Sequence, residues 1–258
     1  MSRVQKNDEG NMSVVGHLTE IRDRLAISLI VLIVAFFACF AFIKPLANLM
    51  LEMGKSYGFE YVYLSPSELL TSYFKLSLIL AVAIVSPFLV FQVWGFIAPA
   101  LRKREKKAIL PALFGGFAFF LLGAVFAYMV ALPFMIQFLI NYSRSDMIAS
   151  AISVGSYIDF MIGMILVFGV VFEMPMLSFV LSRLGVITPE LLRKIRPFVV
   201  PIVFLIGAII TPPDVVSQFM VAVPMLGLYE ISILISAVIS KKRQDEGEDE
   251  EEDEDEEE

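Results

Sequence analysis

The feature that most constrains this chain is a series of long apolar stretches separated by short polar segments. The stretches cover residues 25–43, 73–96, 109–132, 158–181, 197–210 and 215–239. A helix needs about 20 apolar residues to cross the hydrocarbon core of a bilayer. The chain is also 58% apolar, above the roughly 45–50% of a soluble domain. The sequence therefore predicts an all-α polytopic membrane protein with six transmembrane helices and argues against a soluble enzyme.

The predicted helices are expected to be kinked, because proline removes a backbone hydrogen bond. Four spans contain one, at Pro87, Pro175, Pro201 and Pro224. The fifth stretch, 197–210, would be about 21 Å long as a helix, short of a hydrocarbon core of roughly 30 Å. We therefore expect a concave bundle in which the fifth and sixth helices are short or tilted.

The tetrapeptide SPSE at 65–68 is typical of a capping box, with proline at the first helical position. In such a box, Ser65 and Glu68 satisfy each other's free backbone N–H groups. This pattern predicts a helix that begins outside the membrane and continues into the second span.

Positive charge orients the spans, because Lys and Arg collect in cytoplasmic loops. Sixteen of the twenty bases fall on one side of the six-span arrangement, within 3–24, 102–107, 183–196 and 241–243. The other four are Lys44, Lys55, Lys75 and Arg144. Both termini are therefore expected in the cytoplasm.

The C-terminal segment 245–258 holds thirteen of the 27 acidic residues and no base. Such a block of like charge is expected to stay solvated and disordered. We therefore divide the chain into a cytoplasmic N-terminal amphipathic helix (1–24), a six-span transmembrane domain (25–240) and a disordered acidic cytoplasmic tail (241–258).

Cofactor chemistry finds little support in the sequence. Cys39 and His17 are the only residues of their kinds, too few soft ligands for a zinc or iron–sulfur site. The motifs GxxxxGK[ST], HExxH and GxSxG do not occur. We expect no metal, no cofactor and no catalytic residues.

The segment HLTEIRDRL, 17–25, precedes the first span and has the spacing of an amphipathic helix. Glu20 and Arg24 lie four residues apart on its polar face, where an ion pair is worth roughly 0.2–0.5 kcal/mol. From spacing alone, an interfacial helix with this internal pair is the simpler interpretation. His17 is likewise best explained as an interfacial polar residue.

The loop WGFIAPALRKREKK, 94–107, contains a single acid, Glu105, among five bases. Pairing with its basic neighbours explains that carboxylate without a ligand. Trp94 and Phe96 fit the belt of aromatic residues found at membrane interfaces.

Glu173 differs because it lies inside the fourth span, two residues before Pro175. A charge near the bilayer centre costs about 2.5–3.5 kcal/mol on insertion scales. The side chain is therefore protonated, paired or in contact with a water-filled cavity. A structural interpretation has a neutral acid bonding the carbonyl that Pro175 leaves free, whereas a functional one has a proton or partner site. Glu230 in the sixth span is a weaker candidate.

These residues leave two other functions open. A proton-coupled transporter would use Glu173 as its relay, although the first, third and fifth spans hold few polar residues to line a pathway. An intramembrane enzyme would need a second catalytic group at the same depth, which the sequence does not offer.

Five segments, in order, resemble the TatC family, the largest subunit of the twin-arginine protein translocase. They are HLTEIRDRL at 17–25, QVWGFIAPAL at 92–101, VFEMP at 171–175, LRKIRPFVV at 192–200 and TPPDVVSQ at 211–218. The resemblance extends over 13–239 and includes the six-span topology. The acidic tail lies outside the family pattern.

The resemblance implies a receptor that binds twin-arginine signal peptides of folded precursors at the cytoplasmic face of the inner membrane. It also implies TatA- and TatB-type single-span partners, self-association in the receptor complex and transport driven by the proton-motive force; no nucleic acid is expected. The family's signal-binding carboxylates correspond to Glu20 and Glu105, and its intramembrane glutamate to Glu173. Other positions linked to function or assembly correspond to Phe96, Asp214 and Gln218.

The chemistry of this recognition follows from the guanidinium group. Two adjacent arginines present two planar forks, and a carboxylate accepts each through bonds worth about 1.5–3 kcal/mol when shielded from water. Glu20 and Glu105 lie in separate segments on one face, so both can meet one arginine pair. The bases Arg22, Arg24, Arg102 and Arg104 repel other cationic peptides, which favours correctly spaced arginines.

The charge asymmetry predicts the sidedness of two loops. Lys55→Cys and Lys103→Cys, each in a Cys39→Ala background, are expected to react with a membrane-impermeant maleimide from opposite sides of sealed vesicles. Labelling of both cysteines from the same side would contradict the six-span topology.

Overall fold

The computed structural model describes the backbone of residues 14–97, 103–143, 151–211 and 214–257. Side chains are described within these ranges except at 14–18, 93–94, 96–97, 103–113, 143 and 243–257. The helices are α1 (Val14–Ala41), α2 (Ile43–Ser56), α3 (Glu68–Ile97), α4 (Lys103–Phe126), α5 (Leu132–Ser143), α6 (Val154–Phe172), α7 (Met174–Arg183), α8 (Pro189–Ile210) and α9 (Val215–Glu257). Two short strands, β1 (Glu60–Val62) and β2 (Ala151–Ser153), and a π-helical turn at Ala127–Ala131 complete the described elements.

Five stretches of the described chain are long and apolar enough to cross a membrane: Thr19–Ala41, Glu68–Gln92, Phe114–Tyr142, Val154–Arg183 and Val215–Lys242. Each overlaps one predicted span, so the all-α polytopic class is confirmed. The predicted fifth span lies in α8, whose first half carries three bases, Arg193, Lys194 and Arg196. The apolar part of α8 is therefore too short to count among the stretches that could cross a membrane. The number of six spans stays a prediction.

The predicted N-terminal helix is not separate from the first span. α1 runs without a break from Val14 to Ala41, across the predicted boundary at residue 24. α1 packs on α3, and only 6% of its apolar stretch is buried. The amphipathic segment and the span thus form one continuous helix held along one side.

Proline interrupts the helices less uniformly than predicted. α6 ends at Phe172 and α7 begins at Met174, so the fourth span breaks beside Pro175 as expected. α3, α8 and α9, by contrast, continue through their internal prolines. An additional interruption lies at Ala127–Ala131, one turn of π-helix between α4 and α5. Pro133 follows it, and because that nitrogen carries no hydrogen, the wider turn accommodates the missing bond.

The core of the bundle forms around α6. Its side chains Ile158, Met161, Met164 and Phe168 are fully buried. The backbones of α4 and α6 come very close together at Gly123. A Cβ atom added to this glycine would lie only 2.5 Å from the carbonyl oxygen of Phe168. Small residues at such crossings let helix backbones approach closely in membranes. The glycine therefore sets the separation of these two helices.

The two strands join the connections that precede α3 and α6. β1 and β2 are parallel, with Glu60 opposite Ala151 and Val62 opposite Ser153. No sequence pattern predicted this pairing. Because it brings together segments about 90 residues apart in the sequence, no local pattern specifies its register.

Glu68, the first residue of α3, ties these connections together. Its carboxylate accepts hydrogen bonds from the backbone N–H groups of Leu64 and Gly155, each at 2.6 Å, and from the hydroxyl of Ser153. The predicted capping box is present in part. The carboxylate interacts with the backbone N–H of Ser65 as predicted, but the Ser65 hydroxyl bonds that of Ser67. The carboxylate also bonds the start of α6, where two further donors converge.

The acidic segment lies within α9, whose backbone is helical from Val215 to Glu257. The sequence predicted a disordered tail over 241–258. Glutamate has a high intrinsic helix propensity, which opposes the repulsion between like charges four residues apart. The predicted domain boundary at residue 240 therefore does not coincide with the end of a helix.

Glu68→Gln is expected to lower the Tm of the purified protein by several degrees. Glutamine keeps the side-chain length, but it has one acceptor oxygen and turns a donor NH₂ group toward other donors. Glu52→Gln, which changes an exposed carboxylate on α2, is the matched control. An equal Tm for the two variants would show that the Glu68 bonds do not stabilise the fold.

Candidate functional site

Glu20 lies near the start of α1 and is already bound to a guanidinium group. Its Oε1 accepts hydrogen bonds from Nε and Nη2 of Arg24, at 2.9 and 2.7 Å. The Arg24 and Glu20 side chains are only 29% and 22% exposed. The ion pair predicted from their spacing is therefore present, and it is more shielded than an ordinary surface pair, which is worth about 1 kcal/mol or less.

Arg24 also connects α1 to α3. Its Nη1 donates to the side-chain Oε1 of Gln92 at 3.2 Å and to the backbone oxygen of Gln92 at 3.5 Å. Gly95 lies nearly one turn further along α3, and the Arg24 guanidinium fills the space that its missing side chain leaves. A Cβ atom added to Gly95 would lie only 2.4 Å from Nη1 of Arg24. We call Glu20, Gln92 and Gly95 the guanidinium cradle.

The structure does not bring the other residues predicted to take part in signal-peptide recognition into this cradle. Arg22 points elsewhere and donates to its neighbour Asp23 at 2.7 and 2.9 Å, with 74% of its side chain exposed. The side chains of Glu105 and Phe96 lie outside the described residues. The predicted convergence of Glu20 and Glu105 therefore stays a prediction.

Glu173 lies at the break between α6 and α7, inside the fourth candidate span. Its carboxylate packs against α4, where a Cβ on Gly116 would come within 2.9 Å of Oε2. Within the described part of the chain, the carboxylate has no hydrogen-bond or ion-pair partner. Among the described residues, the structure therefore lacks the hydrogen bond that the structural interpretation predicted between Glu173 and a carbonyl left free by Pro175.

Glu230, the weaker intramembrane candidate, is paired. Its Oε2 accepts a hydrogen bond from Arg196 of α8 at 2.5 Å. The adjacent Tyr229 donates to the backbone oxygen of Leu192 at 2.6 Å. Both contacts join α9 to α8, which gives Glu230 a structural role.

Asp214 and Gln218 begin α9. Asp214 Oδ1 accepts a hydrogen bond from the backbone N–H of Ser217 at 2.7 Å, so this side chain caps the helix. The backbone of Gln218 passes close to Gly207 of α8, with its oxygen 3.6 Å from a Cβ placed there. Both residues thus lie where α8 and α9 meet.

Gln92 and Gly95, which contact Arg24, and Gly116, which contacts Glu173, were not predicted as site residues from the sequence. Gln92 and Gly95 are three residues apart, which places them on one face of a helix, and this spacing was a usable signal. The identity of the group they contact comes from another helix. That pairing is a tertiary feature with no local sequence pattern.

Comparison with known proteins agrees with this architecture. The family model described as Sec-independent protein translocase protein (TatC) matches residues 16–224. The chain is 42% identical over 229 residues to the Sec-independent protein translocase protein TatC of Helicobacter pylori J99, covering 89% of this chain and 90% of that protein. It is 40% identical over 237 residues to the protein of the same name from Aquifex aeolicus, covering 91% and 98%.

A solved structure matches the fold as well. It is a crystal structure described as the twin arginine translocase receptor TatC, with a TM-score of 0.76 and 42% identity, covering 85% of this chain and 97% of that one. A second crystal structure of a receptor so named, in the detergent DDM, gives a TM-score of 0.74 and 40% identity, covering 85% and 99%. The chain therefore belongs to the TatC family of Sec-independent protein translocase proteins.

Proposed function

We propose that this protein is the receptor subunit of a twin-arginine protein translocase, not an enzyme. In this role it binds the paired arginines of signal peptides on folded precursors at the cytoplasmic face of the inner membrane. Membership of the TatC family supports this role. The observation that carries the proposal is the match to TatC proteins over most of the chain. The Glu20 carboxylate, which accepts two hydrogen bonds from a guanidinium group in a shielded position, has the geometry that this role needs.

The proposed recognition uses two carboxylates for two arginines. Glu20 receives one guanidinium, and Glu105, in the first turn of α4, receives the other. Phe96 lies between them in sequence and contributes apolar contact to the peptide. Arg22, exposed on α1, repels cationic peptides that cannot form both carboxylate contacts.

The proposed arrangement in the membrane has six spans and both termini in the cytoplasm. The distribution of bases supports it, since sixteen of the twenty lie on the side that holds the termini. The N-terminal segment 1–24 and the tail 241–258 then flank the transmembrane domain 25–240 on the cytoplasmic side. Single-span TatA- and TatB-type proteins and further copies of the chain are the proposed partners.

Glu173 is the proposed contact for a partner helix. An acid without a partner among the described residues, inside an apolar span, gains stability from a polar side chain supplied by another protein. Its position beside Gly116 leaves it against α4. Asp214 and Gln218 are proposed to support assembly by fixing the turn between α8 and α9.

Glu20→Gln and Glu105→Gln are each expected to weaken binding of a twin-arginine signal peptide. The loss is about 1 kcal/mol for a partly exposed contact and nearer 2–3 kcal/mol for a shielded one. The double variant is expected to lose less than the sum, because both carboxylates serve one arginine pair. Photo-crosslinking of a labelled peptide to membranes that carry each variant measures these losses.

Glu190→Gln, which removes an exposed carboxylate at the start of α8, is the matched control. It is expected to crosslink as the unchanged protein does. A peptide with lysines in place of the arginines is expected to crosslink poorly to every variant. Unaltered crosslinking in both single variants would contradict the assignment of Glu20 and Glu105.

Glu173→Ala is expected to reduce co-purification with single-span partners while signal-peptide binding stays normal. Glu173→Gln is expected to keep most partner binding and transport, since its amide still forms hydrogen bonds across helices. A proton relay makes the opposite forecast, because glutamine cannot carry a proton. Transport lost in Glu173→Gln with intact assembly would therefore support the proton-coupled alternative and contradict the partner site.

A further inference from the structure

We propose that Arg24 is a placeholder: in the peptide-free protein it occupies the guanidinium cradle, and one arginine of the signal peptide displaces it there. The arginine that Glu20 receives would then also contact Gln92 and Gly95. The inference rests on the proposed function, since it takes the ligand to be a peptide that carries guanidinium groups. It adds Gln92, Gly95 and Arg24 to the determinants of specificity.

The cradle is built for a planar group with several donors. Three oxygen atoms surround the Arg24 guanidinium: Oε1 of Glu20 at 2.7 Å from Nη2, and the side-chain and backbone oxygens of Gln92 at 3.2 and 3.5 Å from Nη1. The bare backbone of Gly95 provides the surface on which the plane rests. A lysine ammonium is a compact point charge and cannot reach the same oxygens together.

The placeholder has a physical purpose. Without a partner, the Glu20 carboxylate would be a shielded charge, which is costly to leave unpaired. Arg24 removes that cost in the peptide-free protein. It also makes every ligand compete, because the apparent affinity is the intrinsic affinity multiplied by the fraction of receptors whose site is free.

Displacement of Arg24 by the peptide is feasible. The two bonds of Nη1 to Gln92 are longer than the 2.9–3.0 Å typical of N–H···O bonds, and Arg24 is 29% exposed, so its route to water is short. A twin-arginine peptide brings a second guanidinium for a second carboxylate, whereas Arg24 brings only one. A twin-arginine peptide therefore binds strongly enough to displace Arg24, whereas a peptide with a single arginine or with a lysine pair does not.

The test uses the full chain in lipid nanodiscs and a fluorescent synthetic twin-arginine signal peptide, with a twin-lysine peptide as comparison. Binding is measured by fluorescence anisotropy. Arg24→Gln and the charge-conserving Arg24→Lys are both expected to bind the twin-arginine peptide about two- to fivefold more tightly, since they vacate the cradle. Discrimination against the twin-lysine peptide is expected to fall in both.

Gly95→Ala is expected to weaken twin-arginine binding about tenfold, because the added methyl group fills the cradle. Gln92→Met, which removes the acceptor and keeps the length, is expected to weaken it about threefold. Alanine is a better helix former than glycine, so α3 stays folded in Gly95→Ala. Gly227→Ala, at a position with open space around it, is the matched control for the methyl group. Lys194→Gln, at an exposed position on α8, is the control for the lost charge.

Three results would overturn the inference. Weaker or unchanged binding in both Arg24 variants would make Arg24 a structural link between α1 and α3. Gly95→Ala binding as well as the unchanged protein, at equal Tm, would place the arginine elsewhere. If Gly227→Ala or Lys194→Gln reproduced the effects of the cradle variants, those effects would belong to helix propensity or net charge.

Failure of the proposed function itself has a separate signature. In that case the unchanged protein binds the twin-arginine and twin-lysine peptides equally, and Glu20→Gln changes neither affinity. If the unchanged protein discriminates and Glu20→Gln abolishes discrimination, while the Arg24 and Gly95 variants have no effect, only the cradle inference fails.

Discussion

Helices within a bilayer are not driven together by the hydrophobic effect, because lipid tails are as apolar as their side chains. Close packing and interhelical hydrogen bonds have to hold them. In this protein, α6 supplies the packing with fully buried Phe168 and Met161. α7 is bound to α9 by hydrogen bonds from Ser178 to the backbone oxygen of Ser232 and between Ser182 and Ser236, each 2.7 Å long. These contacts fix both helices that flank Glu173.

The transmembrane class was predictable because it depends on apolar length, which is local information. The five long stretches were found for that reason, and α8 falls short because Arg193 and Arg196 occupy its first half. The π-helical turn before Pro133 and the pairing of β1 with β2 were not found. A proline signals a disturbance without specifying its form, and strand register depends on contacts between distant segments.

The candidate site was predictable only in part, for the same reason. Spacing within α1 gave the pair of Glu20 and Arg24, and the resemblance supplied the significance of Glu20. The contact of Arg24 with Gln92 joins residues 68 positions apart, which no periodicity in a single helix specifies. Glu68 is a second case, because its carboxylate bonds Ser153 and Gly155 at the start of α6 in addition to the backbone before its own helix.

Side-chain hydrogen bonds hold α3 to a neighbouring segment at each of its two ends. Between Glu68 and Gln92 it is about 36 Å long at 1.5 Å per residue. Glu68 anchors one end to the start of α6, and Gln92 anchors the other to Arg24. An axial displacement of α3 must break one set of bonds, so α3 couples the position of α1 to that of α6 over this length. Pro87, with its missing hydrogen bond, is the compliant point, and it lies only five residues from Gln92.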